Sequence, residues 1–319
     1  MPPRSTSARL LADHWPVLVF VALLALNIAL KQRFSLFDLR TLCANALPLA
    51  LIALGQYFVV MTRGIDLSLG PIASLAGAVL SLSIGDNLAL GLAAPVVIGA
   101  VAGLANGVLV ARYRFPAIIV TLATMTVWQG VALVVLPNPG GFVPPEIQRL
   151  ATRGLWFPPT PLILLVLTMI GAGWVMSSRF GLHLRAIGGD EAAATMSGVR
   201  ATRTTILAYT LAGVMAGLGG AYLALATASG SPTIGDDYIL SSVATVVVGG
   251  VALSGGRGLT SGVVFGALIL TIIGSLLYSA GISSFYQSML TGLILVAVVA
   301  GGSAQMWLKS RSEGLRHAA

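Results

Sequence analysis

Apolar residues fill the chain in long blocks separated by short polar breaks, and ten blocks approach the ~20 residues a helix needs to cross a bilayer. They fall at residues 15–32, 41–62, 67–85, 88–111, 116–136, 160–177, 204–228, 238–253, 259–280 and 284–304. The apolar–polar alternation of a membrane β-barrel is missing, and backbone groups in lipid must be satisfied within the segment, so the blocks predict α-helices. The first block follows Arg4 and Arg9, as a secretory signal would. Leu26–Leu30 nevertheless runs straight into Lys31 with no small-residue cleavage site, so the reading is a retained helix.

Composition fixes the class. Only 9% of the 319 residues are charged, 56% are hydrophobic and mean hydropathy is +0.93, which is an integral membrane protein and not a soluble domain. With the N-terminus inside, the inner segments hold thirteen of the 18 Lys and Arg; the outer segments hold five, Lys31, Arg33, Arg40, Arg149 and Arg153. This asymmetry predicts two cytoplasmic termini and accounts for the net charge of +8 without nucleic acid. Trp15, Trp174, Trp307 and Tyr113 fall near inner ends of blocks and Trp156 near an outer end, while Trp128, deep in the fifth block, reads as a packing residue. Cys43 is the only cysteine, which excludes an intrachain disulfide and predicts a buried thiol.

The two halves echo one another. GAVAGLANG (Gly99–Gly107) resembles GALILTIIG (Gly266–Gly274), and GVALVV (Gly130–Val135) resembles GLILVAV (Gly292–Val298), at offsets of 167 and 162 residues. A shift of five spans reverses direction across the membrane. It predicts an inverted five-helix repeat within one transmembrane domain, with halves near 1–140 and 160–304 and a tail at 305–319. A rival match, GIDLSLG (Gly64–Gly70) with GVALSGG (Gly250–Gly256), would shift by six spans and make the relation parallel. Glycines four apart, at 99/103/107, 213/217 and 262/266, predict close helix–helix approach.

One break carries unusual chemistry. TRGIDLSLGP (Thr62–Pro71) places an arginine and an aspartate between the second and third blocks. Arg63 obeys the inner-charge pattern and pairs locally with Asp66; Ser68 caps the next helix, and Gly70-Pro71 sits in its first turns, where proline costs little. IGDDYILS (Ile234–Ser241) occupies the corresponding place in the second half, and interrupted helices in matching halves flank transport paths. The break therefore reads as a gate or coupling element. Asp66 and the uncharged Gln56, Ser68, Asn106, Thr126 and Gln129, with Asn45 and Tyr57 behind them, are candidate path residues for a neutral hydroxylated solute. Hydrogen bonding between helices is the alternative for each.

In the inner loop 178–203, Asp190 can N-cap a short helix that Glu191 complements, three alanines propagate and Gly198 ends. Ala192, Met196 and Val199 would form a stripe for a partner's groove, against the alternative of an ordinary connection. The outer loop 137–161 has seven prolines and reads as irregular. Asp236 and Asp237, in an outer turn opened by Ser231-Pro232, are either solvated or a docking surface for an exterior partner.

Other functions are excluded by what is missing. GGVALSGGRG (Gly249–Gly258) lacks the Gly-Lys-Ser/Thr of a phosphate-binding loop, and the lysines are Lys31 and Lys309, so any ATP hydrolysis must occur on another chain. His14, His183 and His317 have no metal or catalytic spacing. A proton- or sodium-coupled carrier, the alternative transporter, keeps an ionisable group at mid-depth. The blocks leave Asp66 nearest, at a block's edge.

GIDLSLG (Gly64–Gly70), RAIGGDEAAATMSGV (Arg185–Val199), GGVALSGGRG and SSFYQSMLTGLIL (Ser283–Leu295) together resemble the permease subunits of bacterial ABC importers for ribose, xylose, arabinose and galactosides. The resemblance covers roughly residues 40–302. It implies a ten-helix fold similar to the vitamin B12 importer permeases, in the bacterial inner membrane, with two permease copies around one path. It also implies a cytoplasmic ATPase that binds ATP and Mg, this chain binding no cofactor, and a periplasmic or lipoprotein sugar-binding protein. Phe180–Val199 matches the coupling region, with Gly188, Gly189, Glu191, Ala193, Ser197 and Gly198 at recurrent positions. Leu182 stands where arginine is common, and Asp190 where asparagine is usual.

Overall fold

The computed structural model describes residues 6–31, 35–154 and 157–281, with Tyr286, Met289, Gly292 and Leu293 beyond them. The tenth predicted block and the tail, otherwise, lie outside the described residues, as do Arg4, Arg33, Trp156, Trp307 and most of the Gly292–Val298 match. The described residues form twelve helices: α1 (Thr6–Lys31), α2 (Leu36–Met61), α3 (Leu69–Ser83), α4 (Leu88–Ala111), α5 (Ala117–Val135), α6 (Pro145–Thr152), α7 (Thr160–Ser177), α8 (Arg179–Gly189), α9 (Glu191–Met196), α10 (Ala201–Thr227), α11 (Asp236–Val248) and α12 (Thr260–Ser279).

Nine predicted blocks coincide with helices, and among the described residues six of these, α2, α4, α5, α7, α10 and α12, are long and apolar enough to cross a membrane, while Trp15–Lys31 of α1 is a shorter apolar stretch. α3 has 15 residues and α11 has 13. At 1.5 Å per residue each covers roughly 20 Å, short of a ~30 Å hydrocarbon core. The reason is that both begin inside the bundle. Past α10 the chain pairs with the far end of α3, where Gly140 and Gly230 exchange backbone hydrogen bonds (2.9 and 2.7 Å) beside Ser81. It then runs back along α3 to Gly235, whose N–H donates to Ser74 Oγ at 2.8 Å and whose backbone abuts Gly70. α3 and α11 thus start side by side and run in opposite directions.

α2 is the central helix, with an apolar core shared with α7, α11 and α12 on one side and α3, α4 and α10 on the other. The predicted glycine rows make the closest approaches: Gly99, Gly103 and Gly107 lie on Gly213, Tyr209 and Ile206, and Gly262 and Gly266 lie on Gly249 and Thr245. A methyl group at Gly103 would overlap the Tyr209 carbonyl. α5 and α7 leave most of their apolar surface uncovered, as lipid-facing spans do. Trp128 packs partly buried against the second core and Cys43 is buried, both as expected. The proline-rich loop departs from expectation. Pro145 occupies the first position of α6, where proline's fixed φ favours a helix, and Gln148 Nε2 holds α6 to Ala226 O at 3.3 Å.

Candidate functional site

α2 stops where its last carbonyls turn back on themselves: Val59 O accepts from Thr62 N (2.9 Å) and Gly64 N (3.2 Å), and Arg63 takes a left-handed φ of 65°. The chain then climbs beside α2. Gln56, 0% exposed, fixes this rise: with its amide turned so that the nitrogen faces the carbonyl, it donates to Asp66 O (2.9 Å) and accepts from Asp66 N (3.2 Å). Thr121 Oγ1 of α5 donates to Ile65 O at 3.2 Å, and Gly64 is pressed against the Tyr209 ring of α10.

The Asp66 side chain, 1% exposed, accepts from Ser68 N (2.9 Å), Ser68 Oγ (2.6 Å) and Asn106 Nδ2 (3.4 Å); Asn106 Nδ2 also donates to Ser68 Oγ at 2.8 Å. Among the described residues it has no ion-pair partner. Two local expectations are corrected here. Arg63 does not pair with Asp66, because the left-handed turn aims it the other way. Ser68 makes no cap to α3, because its hydroxyl is spent on Asp66.

Arg63 reaches α8 instead. Its Nε donates to Gly188 O at 2.9 Å and its Nη2 to Gly189 O. Gly188 fits between the Met61 carbonyl and Gly256, and Gly256 N donates to Met61 O at 3.2 Å. Gly255 and Gly256, with φ of 85° and 72°, bend the chain against Arg63 and Gly188. Three of the motifs read separately in the sequence, TRGIDLSLGP, RAIGGDEAAATMSGV and GGVALSGGRG, therefore meet at one end of the bundle.

α9 forms as expected: Asp190 Oδ1 accepts from Ala193 N at 2.9 Å, and Gly198 ends the turn at φ 86°. α8 was not anticipated. Of the expected stripe, Ala192 and Met196 are exposed, Met196 by 84%, together with Leu182, Ala193 and Ser197. Val199 is turned inward against Ile187, Ala194 and Ala201.

The remaining candidates lie apart. Gln129 Nε2 donates to Pro232 O at 3.0 Å, Thr126 is exposed on α5, and Tyr57 Oη donates to Gly258 O at 3.2 Å. At the end opposite α8–α9 a cavity of about 830 Å3 lies between α1, α2, α11 and α12. Its walls include Asn27, Thr41, Asn45, Ser241, Thr271 and Ser275, the Lys31–Asp38 pair (2.9 Å), and Asp236 and Asp237. These last two are exposed and form the first turn of α11, directly after the turn that Ser231-Pro232 opens.

Residues 39–299 match the family described as branched-chain amino acid transport system / permease component. The chain belongs to this family of ABC importer permeases. It is 32% identical over 299 residues to the ribose import permease protein RbsC of Escherichia coli K12, spanning 91% of this chain and 93% of that one. It is 38% identical over 256 residues to RbsC of Bacillus subtilis 168 (78% and 79%), and 30% over 302 residues to the autoinducer 2 import system permease protein LsrC of Photorhabdus luminescens (91% and 90%). No solved structure gives a significant match.

The permease is accordingly a multi-pass, non-catalytic membrane subunit. Among the described residues no group of His, Cys, Asp and Glu is arranged to hold a metal. Sequence reasoning missed the meeting of the three motifs. The signal available was the glycines of GGVALSGGRG, which allow close backbone approach wherever they fall.

Proposed function

We propose that this permease forms one half of the translocation path of an ATP-driven importer for a monosaccharide or related polyhydroxylated solute. A second permease copy completes the path, a cytoplasmic ATPase holding ATP and Mg binds at α8–α9, and a sugar-binding protein delivers solute at the opposite face. The carrying observation is the joining of α8–α9 to the Asp66 break through Arg63 and Gly188. Exposed Met196, Leu182, Ala193 and Ser197 give the ATPase a surface, and Gly188, Gly189, Asp190, Glu191 and Gly198 shape it.

The cavity's amides and hydroxyls suit a neutral, hydroxylated solute, with Asp236 and Asp237 as acceptors beneath the docked binding protein. Gln56, Asp66, Ser68 and Asn106 act as the gate's closing bonds, and Gln129 and Thr126 line the path farther along α5. RbsC and LsrC make ribose and autoinducer 2 the first solutes to try.

An inverted repeat, like that of the vitamin B12 importer permeases, underlies this reading. Its support is an exchange of partners: α4 and α3 pack on α10 as α12 and α11 pack on α2, and the two interrupted starts touch at Gly70 and Gly235. A shift of five spans produces that exchange and a shift of six does not. The chain is then one transmembrane domain of two halves, near 1–140 and 160–304.

The test is reconstitution of the permease with its ATPase and binding protein in proteoliposomes, measuring [14C]ribose and labelled autoinducer 2. Uptake of one of them is expected with ATP and the binding protein, and it persists with a protonophore. Transport by the permease alone, driven by a pH step, would overturn the reading.

A further inference from the structure

Two arginines of this permease have backbones that non-glycine residues rarely adopt: Arg63 at φ 65° and Arg114 at φ 60°. They follow α2 and α4, two helices that end at the α8–α9 face, and they reach to either side of the same residue. Arg63 donates to the carbonyls of Gly188 and Gly189, just before Asp190. Arg114 Nη1 donates to Glu191 Oε1 at 2.9 Å, just after it. Asp190 is the joint itself: its N–H closes α8 on Ala186 O (3.0 Å) while its carboxylate opens α9 at Ala193 N.

The arms are unequal. Arg114 and Glu191 are 70% and 48% exposed, and such a pair in water holds little. Arg63 engages the last carbonyls of α8, which have no partner within the helix and carry the negative end of its dipole, and its planar fork spans two of them. The Arg63 side chain is itself exposed, but its anchorage is tight: Gly188 is wedged between Met61 and Gly256, and Gly255 lies on the Arg63 stem. Beyond Arg63, Gly64 is packed on Tyr209, Ile65 is held by Thr121, and Asp66 by Gln56 and Asn106. A shift of the α8 end therefore cannot stay local.

We propose that Arg63 is a positioning residue that transmits displacement of α8–α9 into the 62–68 turn, and that the Arg114–Glu191 pair is dispensable for this. The inference rests on reading α8–α9 as the ATPase contact. Its test is hydrogen–deuterium exchange on the permease–ATPase complex in nanodiscs, with and without ATP and vanadate, which needs no transported solute.

In the wild type, peptides covering 62–70 and 186–196 should both change exchange on nucleotide trapping. Arg63→Ala should keep the change at 186–196 and lose it at 62–70; Arg63→Lys, with one donor group, should weaken it there; Arg114→Ala should leave both. An Arg63→Ala complex in which both segments still respond would overturn the proposal. So would failure of both Arg63 variants to bind the ATPase, since Arg63 would then build α8–α9 and not move the turn. A wild type silent at 62–70 but responsive at 186–196 removes the transmission alone, whereas silence at 186–196 removes the coupling reading beneath it.

Discussion

A buried carboxylate without a cation survives in a bundle only if its oxygens are hydrogen-bonded. Asp66 meets that condition through Ser68 and Asn106, so its first duty is to hold the α2–α3 break in shape. Asp66→Ala would leave those donors without their acceptor and is expected to cost about 1–3 kcal/mol, read as a lower melting temperature of the purified permease. Asp66→Asn keeps one acceptor oxygen and should retain ATP-driven uptake. That variant also separates the two transport classes. A proton-coupled carrier needs a group that titrates at depth, and Asp66 does lie inside the bundle, so pH-driven uptake by the permease alone that disappears in a well-folded Asn variant would revive that alternative. The sequence located this residue but paired it wrongly. Arg63 and Asp66 are three apart, a spacing that brings side chains together on a helix, and the left-handed turn at Arg63 removes the helix.

At the scale of elements, glycine decides which faces can touch. Gly103 and Gly213 sit where α4 and α10 meet backbone to backbone, whereas nothing lies within 4 Å of a methyl built at Gly130 or Gly171. Gly103→Ala and Gly213→Ala should each push these helices apart at a cost of about 1–3 kcal/mol. Gly130→Ala and Gly171→Ala should be neutral or slightly stabilising, since glycine costs a helix interior about 0.5–1 kcal/mol relative to alanine. Thermal unfolding of the four variants in one detergent checks the contrast; equal losses at all four sites would remove packing as the reason for the glycine rows. The rows themselves were legible, because spacing of four puts small residues on one helix face. Depth was not. Hydropathy marked the 67–85 and 238–253 blocks as it marked the others, yet α3 and α11 begin mid-bundle, because the contacts that draw Gly70 and Gly235 together lie 165 residues apart in sequence. α8 was hidden for a related reason: it is mixed in composition and takes its order from Met61 and Gly256.

At the scale of the whole molecule, the two ends differ in charge. The α8–α9 end carries Arg63, Arg112, Arg114, Arg179, Arg185, Arg200, Arg203 and Arg257, and the opposite end carries Lys31, Arg40, Arg149 and Arg153 among the described residues. Loops rich in Lys and Arg stay in the cytoplasm, so the α8–α9 end should face inward. That orientation is also the one the proposed function requires, because ATP is hydrolysed in the cytoplasm and α9 can meet an ATPase only there. Cys43 is buried and should stay silent to a membrane-impermeant maleimide, which makes the native chain a usable background. Met196→Cys, at the most exposed apolar position of α9, should label only after cells are permeabilised, and less once the ATPase is bound; Asp86→Cys, exposed in the turn after α3, should label in intact cells. The reverse pattern would turn the molecule over. It would put α8–α9 on the side where no ATP is hydrolysed, and the joint that Arg63 holds would then need a different partner.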